Sequence, residues 1–305
     1  MTASTAKQII PVEDAEIPRP HIARRFLAGV KEILTTRQGL LGTAMVVGIF
    51  SIIVLGRLWT PYDPLAIGVG PSGSGPSAAH WLGTDDLGRD VFSRFLTGGA
   101  SVLAVPLIAT SIAFAVGGSV GMIFGYVGGL GDRILARVLD VLLPIPDLLV
   151  TLLLIAHFGS SIFVLIAIVA GGFSPRIARI LRGSVQNLKA MEYILAAEAR
   201  GERSRTIVFS ELLPNITGPA LVEFGIRVNF AVVFVSSLNF LGLAEYPPSS
   251  NWGLMVGLGR NLIFSNPAAA LVPAAAIATL VVGINLIADS AAGTFSSELN
   301  AGWAQ

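Results

Sequence analysis

The sequence predicts an all-α polytopic membrane protein with six transmembrane helices. Charged residues make up 13% of the 305 residues, against roughly 25% in soluble domains. Residues of the set AVILMFWYC make up 53%, and 34 glycines come in addition. Uncharged apolar stretches recur along the chain, and several reach the length of about 20 residues that a bilayer crossing needs. This composition excludes a soluble globular domain and a disordered chain.

Charged residues mark the ends of four of the spans. Span one occupies Gln38–Gly56. Span two lies within Phe95–Gly131, which is uncharged for longer than one crossing requires. Span five is the apolar stretch Val228–Ala244, and span six lies within Asn261–Ala288.

The placement of basic residues determines how the region between spans two and five is crossed. Cytoplasmic segments carry an excess of Lys and Arg, and the basic segments here are the N-terminal tail and Arg176–Arg205. Because both are expected in the cytoplasm, an even number of crossings must separate them. The region therefore holds span three, at Ile134–His157, and span four, at Ser160–Ile180, with a turn near Gly159.

This topology places both chain ends in the cytoplasm and divides the chain into three regions. Residues 1–38 contain no apolar run long enough for a signal peptide and form a cytoplasmic tail. Residues 39–290 form the six-span domain, and residues 291–305 form a second cytoplasmic tail. Within the six-span domain, we expect loop 60–94 outside the cytoplasm and loop 182–214 inside it.

Motifs for enzymatic chemistry are missing or lack the context they require. The sequence has no cysteine, which excludes disulfides and thiol catalysis. No lysine stands in a Walker A motif, and the three histidines are too scattered for a zinc site. Gly68–Gly73 fits G-x-G-x-x-G but lies in a Pro/Ser/Gly loop, and Ser119 fits G-x-S-x-G but lies in a span with no evident base. We therefore expect neither an enzyme nor a cofactor or metal ion bound by this chain.

Glycine recurs at every fourth position towards the end of span two. Gly117, Gly121, Gly125 and Gly129 are spaced to share one face of a helix. Small residues at this spacing allow a second helix to approach closely. The pattern predicts a helix-packing face.

Loop 182–214 is too long for a plain connector and has two helical stretches. Ala196–Arg200 is rich in helix-forming residues. We expect Gly201 to break this helix, Glu202–Phe209 to resume it and Pro214 to end it. The alanines and the glycine give a small, smooth surface for docking in a groove of another protein, with the nearby charges orienting the contact. A solvated amphipathic surface helix is the alternative.

The same residues resemble the EAA loop of ABC importer permeases. That loop has Glu-Ala-Ala, three further residues, Gly and a later Leu-Pro. Ala196, Ala197, Gly201 and Leu213-Pro214 match it, and Leu195 stands at the Glu position. The resemblance extends over about residues 40–289 to the second permease subunit of the dipeptide/oligopeptide branch. The further matching segments are His80–Asp90, Gly125–Gly129 with Asp132 and Arg133, Asn239–Leu243, Asn251–Gly253, and Asn285 with Asp289.

The resemblance implies the type I ABC importer permease fold and a role in transport, in the cell membrane of a prokaryote. It implies a heterodimer with a homologous permease, two cytoplasmic ATPase subunits that bind ATP and Mg, and an extracytoplasmic substrate-binding protein, with no nucleic-acid partner. Loop 182–214, called the coupling loop from here on, would sit in a groove of an ATPase subunit and move with it. The residues assigned to coupling are Leu195, Ala196, Ala197, Glu198, Arg200, Gly201, Glu202, Arg203, Leu213 and Pro214.

Polar residues near the spans are candidates for the translocation path or a gate. Asp140 and Asp147 either face the path or make hydrogen bonds at helix ends, since acids inside a membrane are costly. Glu223 and Arg227 are spaced i, i+4 with the acid first, which favours a structural pair. The candidate set is Asp140, Asp147, Glu223, Arg227, Asn239 and Asn285.

The family branch implies short peptides as the substrate. Metal chelates and haem-like or glutathione-like solutes are alternatives within the same transporter class. An ion-coupled secondary transporter is the alternative of another class. Such proteins usually carry inverted repeats with ion-binding residues at broken helices, and no clear internal repeat is present here.

Overall fold

The computed structural model describes residues 32–302, with side chains described for residues 32–293. The predicted N-terminal tail lies outside the described residues up to residue 31, as do the side chains of the predicted C-terminal tail from residue 294. The described chain is helical with one isolated bridge between Thr84 and Asp90. Its α-helices are α1 Arg37–Leu58, α2 Val91–Ala113, α3 Ser119–Val127, α4 Gly129–Leu142, α5 Asp147–Phe158, α6 Ile162–Lys189, α7 Glu192–Ala199, α8 Ser204–Thr206, α9 Leu213–Phe240, α10 Trp252–Gly259 and α11 Ala268–Gly302.

Five helical segments of the described chain are long and apolar enough to cross a membrane. They are Arg37–Leu58, Val91–Val127, Ile162–Lys189, Ser204–Phe240 and Ala268–Gly293. A sixth crossing is available when α4 and α5 are taken as one broken span. The prediction of an all-α polytopic membrane protein is therefore confirmed.

The third span is broken where the sequence predicted a continuous helix over Ile134–His157. Helices α4 and α5 are bent by 82° relative to each other. Pro144 and Pro146 lie at the break, and a proline has no N–H to continue the helical hydrogen bonds. Gly159, at φ +78°, ends α5 close to the predicted turn, and the hydroxyl of Ser161 accepts a hydrogen bond from the first turn of α6.

The fifth span begins much earlier than the sequence predicted. Helix α8 continues through the π-helical segment Ile207–Leu212 into α9, so the helical rod extends over Ser204–Phe240. The prediction that Pro214 ends the loop helix was wrong. Pro214 lies in the first turn of α9, directly after the π-helical segment. The hydrogen bond that its missing N–H would donate is lost there, but the backbone stays helical.

The buried apolar residues form two clusters. One joins α2, α6 and α9 and includes Ile194 and Ala197 of α7. The other joins α1, α2, α9, α10 and α11 around the fully buried Trp252. Since α7 contributes to the first cluster, the coupling loop is packed onto the end of the helix bundle.

Three of the four spaced glycines lie directly against α6. A Cβ atom added to Gly117 would lie 2.3 Å from the carbonyl oxygen of Ser174, and one added to Gly121 would lie 2.4 Å from that of Ala178. A Cβ atom added to Gly125 would lie 3.0 Å from the carbonyl oxygen of Arg182. These positions advance by four residues on both helices, so the backbones approach along one line.

Gly129 does not belong to this packing face, contrary to the sequence prediction. Gly128 and Gly129 both have positive φ, +69° and +72°. The helix therefore ends at Val127 and the chain turns into α4. A Cβ atom at Gly129 would meet no described atom within 4 Å.

Candidate functional site

The coupling loop presents part of its predicted docking surface and buries another part. Leu195, Ala196 and Glu198 are exposed on α7, and Leu195 keeps 52% of its surface accessible. Ala197 was predicted on the same surface but is fully buried. It follows Ile194 by three residues and therefore shares the helix face that packs on the bundle.

Gly201 ends α7 in a Schellman turn. The N–H of Gly201 donates to the carbonyl oxygen of Glu198 at 3.0 Å, and the N–H of Glu202 donates to that of Ala197 at 3.2 Å. The turn places Gly201 at φ +75°, in the left-handed region that glycine occupies without a steric penalty. The sequence predicted the break, and the structure adds that the turn is rigidly hydrogen-bonded.

Charged and aromatic groups lie at this turn and on the helical segments on either side of it. Arg200 and Glu202 form an exposed ion pair at 2.7 Å, and Arg203 is exposed beside them. Phe209, which the sequence analysis did not single out, keeps 65% of its surface accessible. The pKa of Tyr193 is raised above its usual value of 10.0, mainly by partial burial and to a smaller extent by the negative charge of Glu211. This phenol therefore stays neutral at physiological pH. The exposed end of the loop therefore combines apolar surface with charged side chains.

A ladder of three ion pairs connects the broken span to α6. Asp132 accepts hydrogen bonds from Arg182, at 2.7 Å to Nη2, and from Gln186 at 3.1 Å. Asp140 pairs with Arg179.

The third rung of the ladder is a bidentate pair between Asp147 and Arg176. Nη1 of Arg176 donates to Oδ1 of Asp147 at 3.0 Å, and Nη2 lies 2.9 Å from Oδ2. The sequence predicted hydrogen-bonded or path-facing acids but not these partners. The partners are 29–50 residues away in sequence, so no local spacing reveals them.

Three of the other candidate path residues lie on α9. Glu223 and Arg227 pair within α9, as predicted from their spacing. Asn239 is fully buried, donates to the carbonyl oxygen of Val235 at 3.0 Å and accepts from the N–H of Glu245 at 3.1 Å. These bonds hold the end of α9 to the following loop.

Asn285 connects α11 to α9. Its Oδ1 accepts a hydrogen bond from Nδ2 of Asn229 at 3.0 Å. Among the described residues, then, the candidate path residues occupy three separate places: the face between the broken span and α6, the interior of α9, and the contact between α9 and α11.

Loop 60–94 is held by a buried polar network that the sequence analysis did not anticipate. Nδ1 of His80 lies 2.9 Å from Oδ1 of Asp90, whose other oxygen caps the start of α2 through Ser93. Arg89 pairs with Asp85 at 2.6 Å. The fully buried Arg94 donates to the carbonyl oxygen of Ser249 at 2.7 Å. The polar motif of this loop thus fastens it to the segment before α10.

Residues 117–299 match the family described as "Binding-protein-dependent transport system inner membrane component". A glutathione transport system permease protein of Pectobacterium atrosepticum is 37% identical over 215 residues, which cover 70% of this chain and 71% of the relative. A dipeptide transport system permease protein of Alkalihalophilus pseudofirmus is 31% identical over 259 residues, 85% of either chain. A probable D,D-dipeptide transport system permease protein of Escherichia coli K12 is 32% identical over 281 residues, covering 91% of this chain and 94% of the relative.

The family match covers more than half of the chain and includes both α6 and the coupling loop. It confirms the predicted permease fold and the prediction that the chain takes part in transport and is not an enzyme. ATP hydrolysis in such systems lies in separate subunits. The chain belongs to the inner membrane components of binding-protein-dependent transport systems, the permease subunits of ABC importers.

Proposed function

We propose that the chain forms half of the translocation path of an ATP-driven importer of short peptides. The observation that carries the substrate class is the likeness, over most of the chain, to permeases named for dipeptides, D,D-dipeptides and glutathione. All three substrates are small peptides. Import of another small solute, such as a metal chelate, is the second candidate within the same class.

We propose a homologous permease as the partner that supplies the other half of the path. Two ATPase subunits bind ATP and Mg on the cytoplasmic side, and a substrate-binding protein delivers the solute from outside. This arrangement is supported by the description of the family, which names its dependence on a binding protein. The exposed apolar surface of the described helices also leaves room for a second membrane subunit and for lipid.

The coupling loop is the proposed contact with an ATPase subunit. Leu195, Glu198 and Arg200 are exposed around a hydrogen-bonded turn, and the helical rod Ser204–Phe240 follows at once. A displacement of the turn is therefore transmitted along a spanning helix. Leu213 and Pro214 are half-buried at the start of α9, where they support the loop from the bundle side.

For orientation, we propose that both chain ends and the coupling loop lie in the cytoplasm and that loop 60–94 lies outside. The support is the clustering of Lys and Arg in the tail and in residues 176–205. A reporter fused after Gly201 is expected to show cytoplasmic activity, while one inserted at Ser74 shows extracytoplasmic activity. The reverse pattern would contradict the orientation.

The function is tested with the complete importer reconstituted in proteoliposomes with the binding protein outside. A labelled dipeptide should accumulate only when ATP is enclosed, and an imposed proton or sodium gradient without ATP should produce no uptake. Uptake of a metal chelate but not of dipeptides would replace the substrate class. Uptake driven by the ion gradient alone would refute the ATP-driven mechanism.

A further inference from the structure

A cavity lies at the break of the third span. It has a volume of about 220 Å³, is partly open to the surface, and is lined by the break itself, by α5, by α6 and by Phe234 of α9. A single water needs only about 10–15 Å³ measured in this way. The cavity therefore has room for a small organic molecule and not merely for a few solvent molecules. Its lining is largely apolar and includes Leu143, Val150, Ile168 and Phe173.

Two consecutive glycines form part of the cavity wall in the middle of α6. A Cβ atom at Gly171 would meet no described atom within 4 Å, and one at Gly172 would come no closer than 3.7 Å, to Oδ1 of Asp147. Close packing within the described chain therefore does not explain them, in contrast to Gly117 and Gly121. Each glycine destabilises a helix interior by about 0.5–1 kcal/mol relative to alanine. What the glycines do supply is open space on the cavity side.

One negative and one positive group face this space. Asp147 and Arg176 are the charged members of the described lining, and their side chains remain 33% and 27% accessible. They pair with each other at 2.9–3.0 Å. Removing either partner leaves the other charge in apolar surroundings, which is costly. A ligand that brings an ammonium and a carboxylate compensates both charges at once, and the guanidinium binds a carboxylate in bidentate fashion.

We propose that this cavity is a binding site for zwitterionic short peptides, with Asp147 binding the terminal ammonium and Arg176 the terminal carboxylate. The inference rests on the proposed function and deepens it by naming the groups that meet the substrate. The apolar lining accommodates the side chains, and the pair closes on itself when no peptide is present.

The test uses the complete importer in proteoliposomes and a dipeptide that carries a photoreactive diazirine side chain and free termini. The binding protein is loaded with this probe, the sample is irradiated during ATP-driven uptake, and the labelled residues are mapped by mass spectrometry. Label is expected on lining residues such as Val150, Ile168 and Phe234. Label confined to other parts of the chain or to the partner subunits would overturn the site, and this comparison requires no variant.

Variants then test the roles of the two charges. Asp147→Asn and Arg176→Gln should each lower labelling of the cavity about tenfold or more, as expected for loss of a charge-assisted hydrogen bond. Arg179→Gln is the matched control, because it breaks a neighbouring ion pair of the same ladder at a residue outside the described cavity lining. Equal losses in all three variants would reduce the pair to a structural role. Failure of the wild-type importer to take up the probe would overturn the peptide substrate itself, whereas uptake without labelling of the cavity overturns only the site.

Discussion

Substitution of Gly201 separates a coupling role of the loop from a structural one. The change Gly201→Asp keeps the backbone turn accessible, because Asp is among the residues that tolerate the left-handed region. An L-residue at φ +75° costs about 1–2 kcal/mol, a modest part of a typical folding free energy of about 5–15 kcal/mol. A Cβ atom at this position would meet no atom of the described chain within 4 Å. The expected damage therefore falls on whatever docks against the turn.

The structure offers a matched control at Gly242, which follows the far end of the helical rod Ser204–Phe240. Gly242 has φ +72°, and a Cβ there also meets no described atom within 4 Å. Its turn has the same hydrogen bonds, from Gly242 to Asn239 at 2.9 Å and from Leu243 to Leu238 at 2.9 Å. The variants Gly201→Asp and Gly242→Asp thus impose the same backbone strain, but only the first lies in the coupling loop.

The assay measures ATP hydrolysis and dipeptide uptake by the reconstituted importer in parallel. Gly201→Asp should assemble in the membrane yet lose most uptake, about tenfold or more, and should lose the increase in ATP hydrolysis caused by loaded binding protein. Gly242→Asp should show the same small loss of thermal stability with coupling preserved. Normal uptake with Gly201→Asp, or an equal loss of coupling in both variants, would refute the assignment of this turn to ATPase docking.

Three further predictions concern the stability of the helix bundle. Gly121→Ala places a methyl group 2.4 Å from a carbonyl oxygen of α6 and should destabilise the chain by about 1–3 kcal/mol. Gly183→Ala is the control, because no described atom lies within 4 Å of the added methyl, and it should be neutral or stabilising. Thermal unfolding in detergent compares the two variants. Asp132→Asn weakens the charge-assisted hydrogen bonds from Arg182, whose side chain is 22% exposed, and should cost about 1.5–3 kcal/mol. Asp140→Asn, whose ion pair is about half exposed, should cost at most about 1 kcal/mol. Equal losses would contradict the difference in burial. Asn239→Ala deletes two hydrogen bonds at a fully buried side chain and should cost about 1–3 kcal/mol, with proteolysis increasing first in the loop after α9.

The spans were predictable because crossing a membrane imposes a composition on about 20 residues at a time. Span one was expected at Gln38–Gly56 and lies at Arg37–Leu58. The turn at Gly159 followed from charge parity and not from any local motif. The fifth span was misjudged because its first two thirds carry Glu211, Glu223 and Arg227. A window that counts charges therefore stops at Val228, although the backbone remains helical.

The site was predictable only where its geometry is local. The break at Gly201 follows from one residue type at one position, since a helix end needs a residue at positive φ. The ion-pair ladder required knowing how both α4 and α5 pack on α6, because Asp132, Asp140 and Asp147 are separated by eight and seven residues whereas their arginines are three apart. The two prolines at the 82° bend between α4 and α5 were visible in the sequence, but their effect on the ion-pair partners was not.

The coupling loop and the cavity are joined by a single helical rod. Phe234 lines the cavity, and Ser204 begins the rod beside the loop. At 1.5 Å per residue, about 45 Å of helix separates them. The irregular part of the rod lies at the loop end, where the π-helical segment Ile207–Leu212, Pro214 and Pro219 weaken the regular hydrogen bonds. From Ala220 to Phe240 the helix is free of proline, so this part moves as one body. A displacement of the loop is therefore expected to tilt α9 about a joint near the membrane face and to move the cavity wall without bending the helix there.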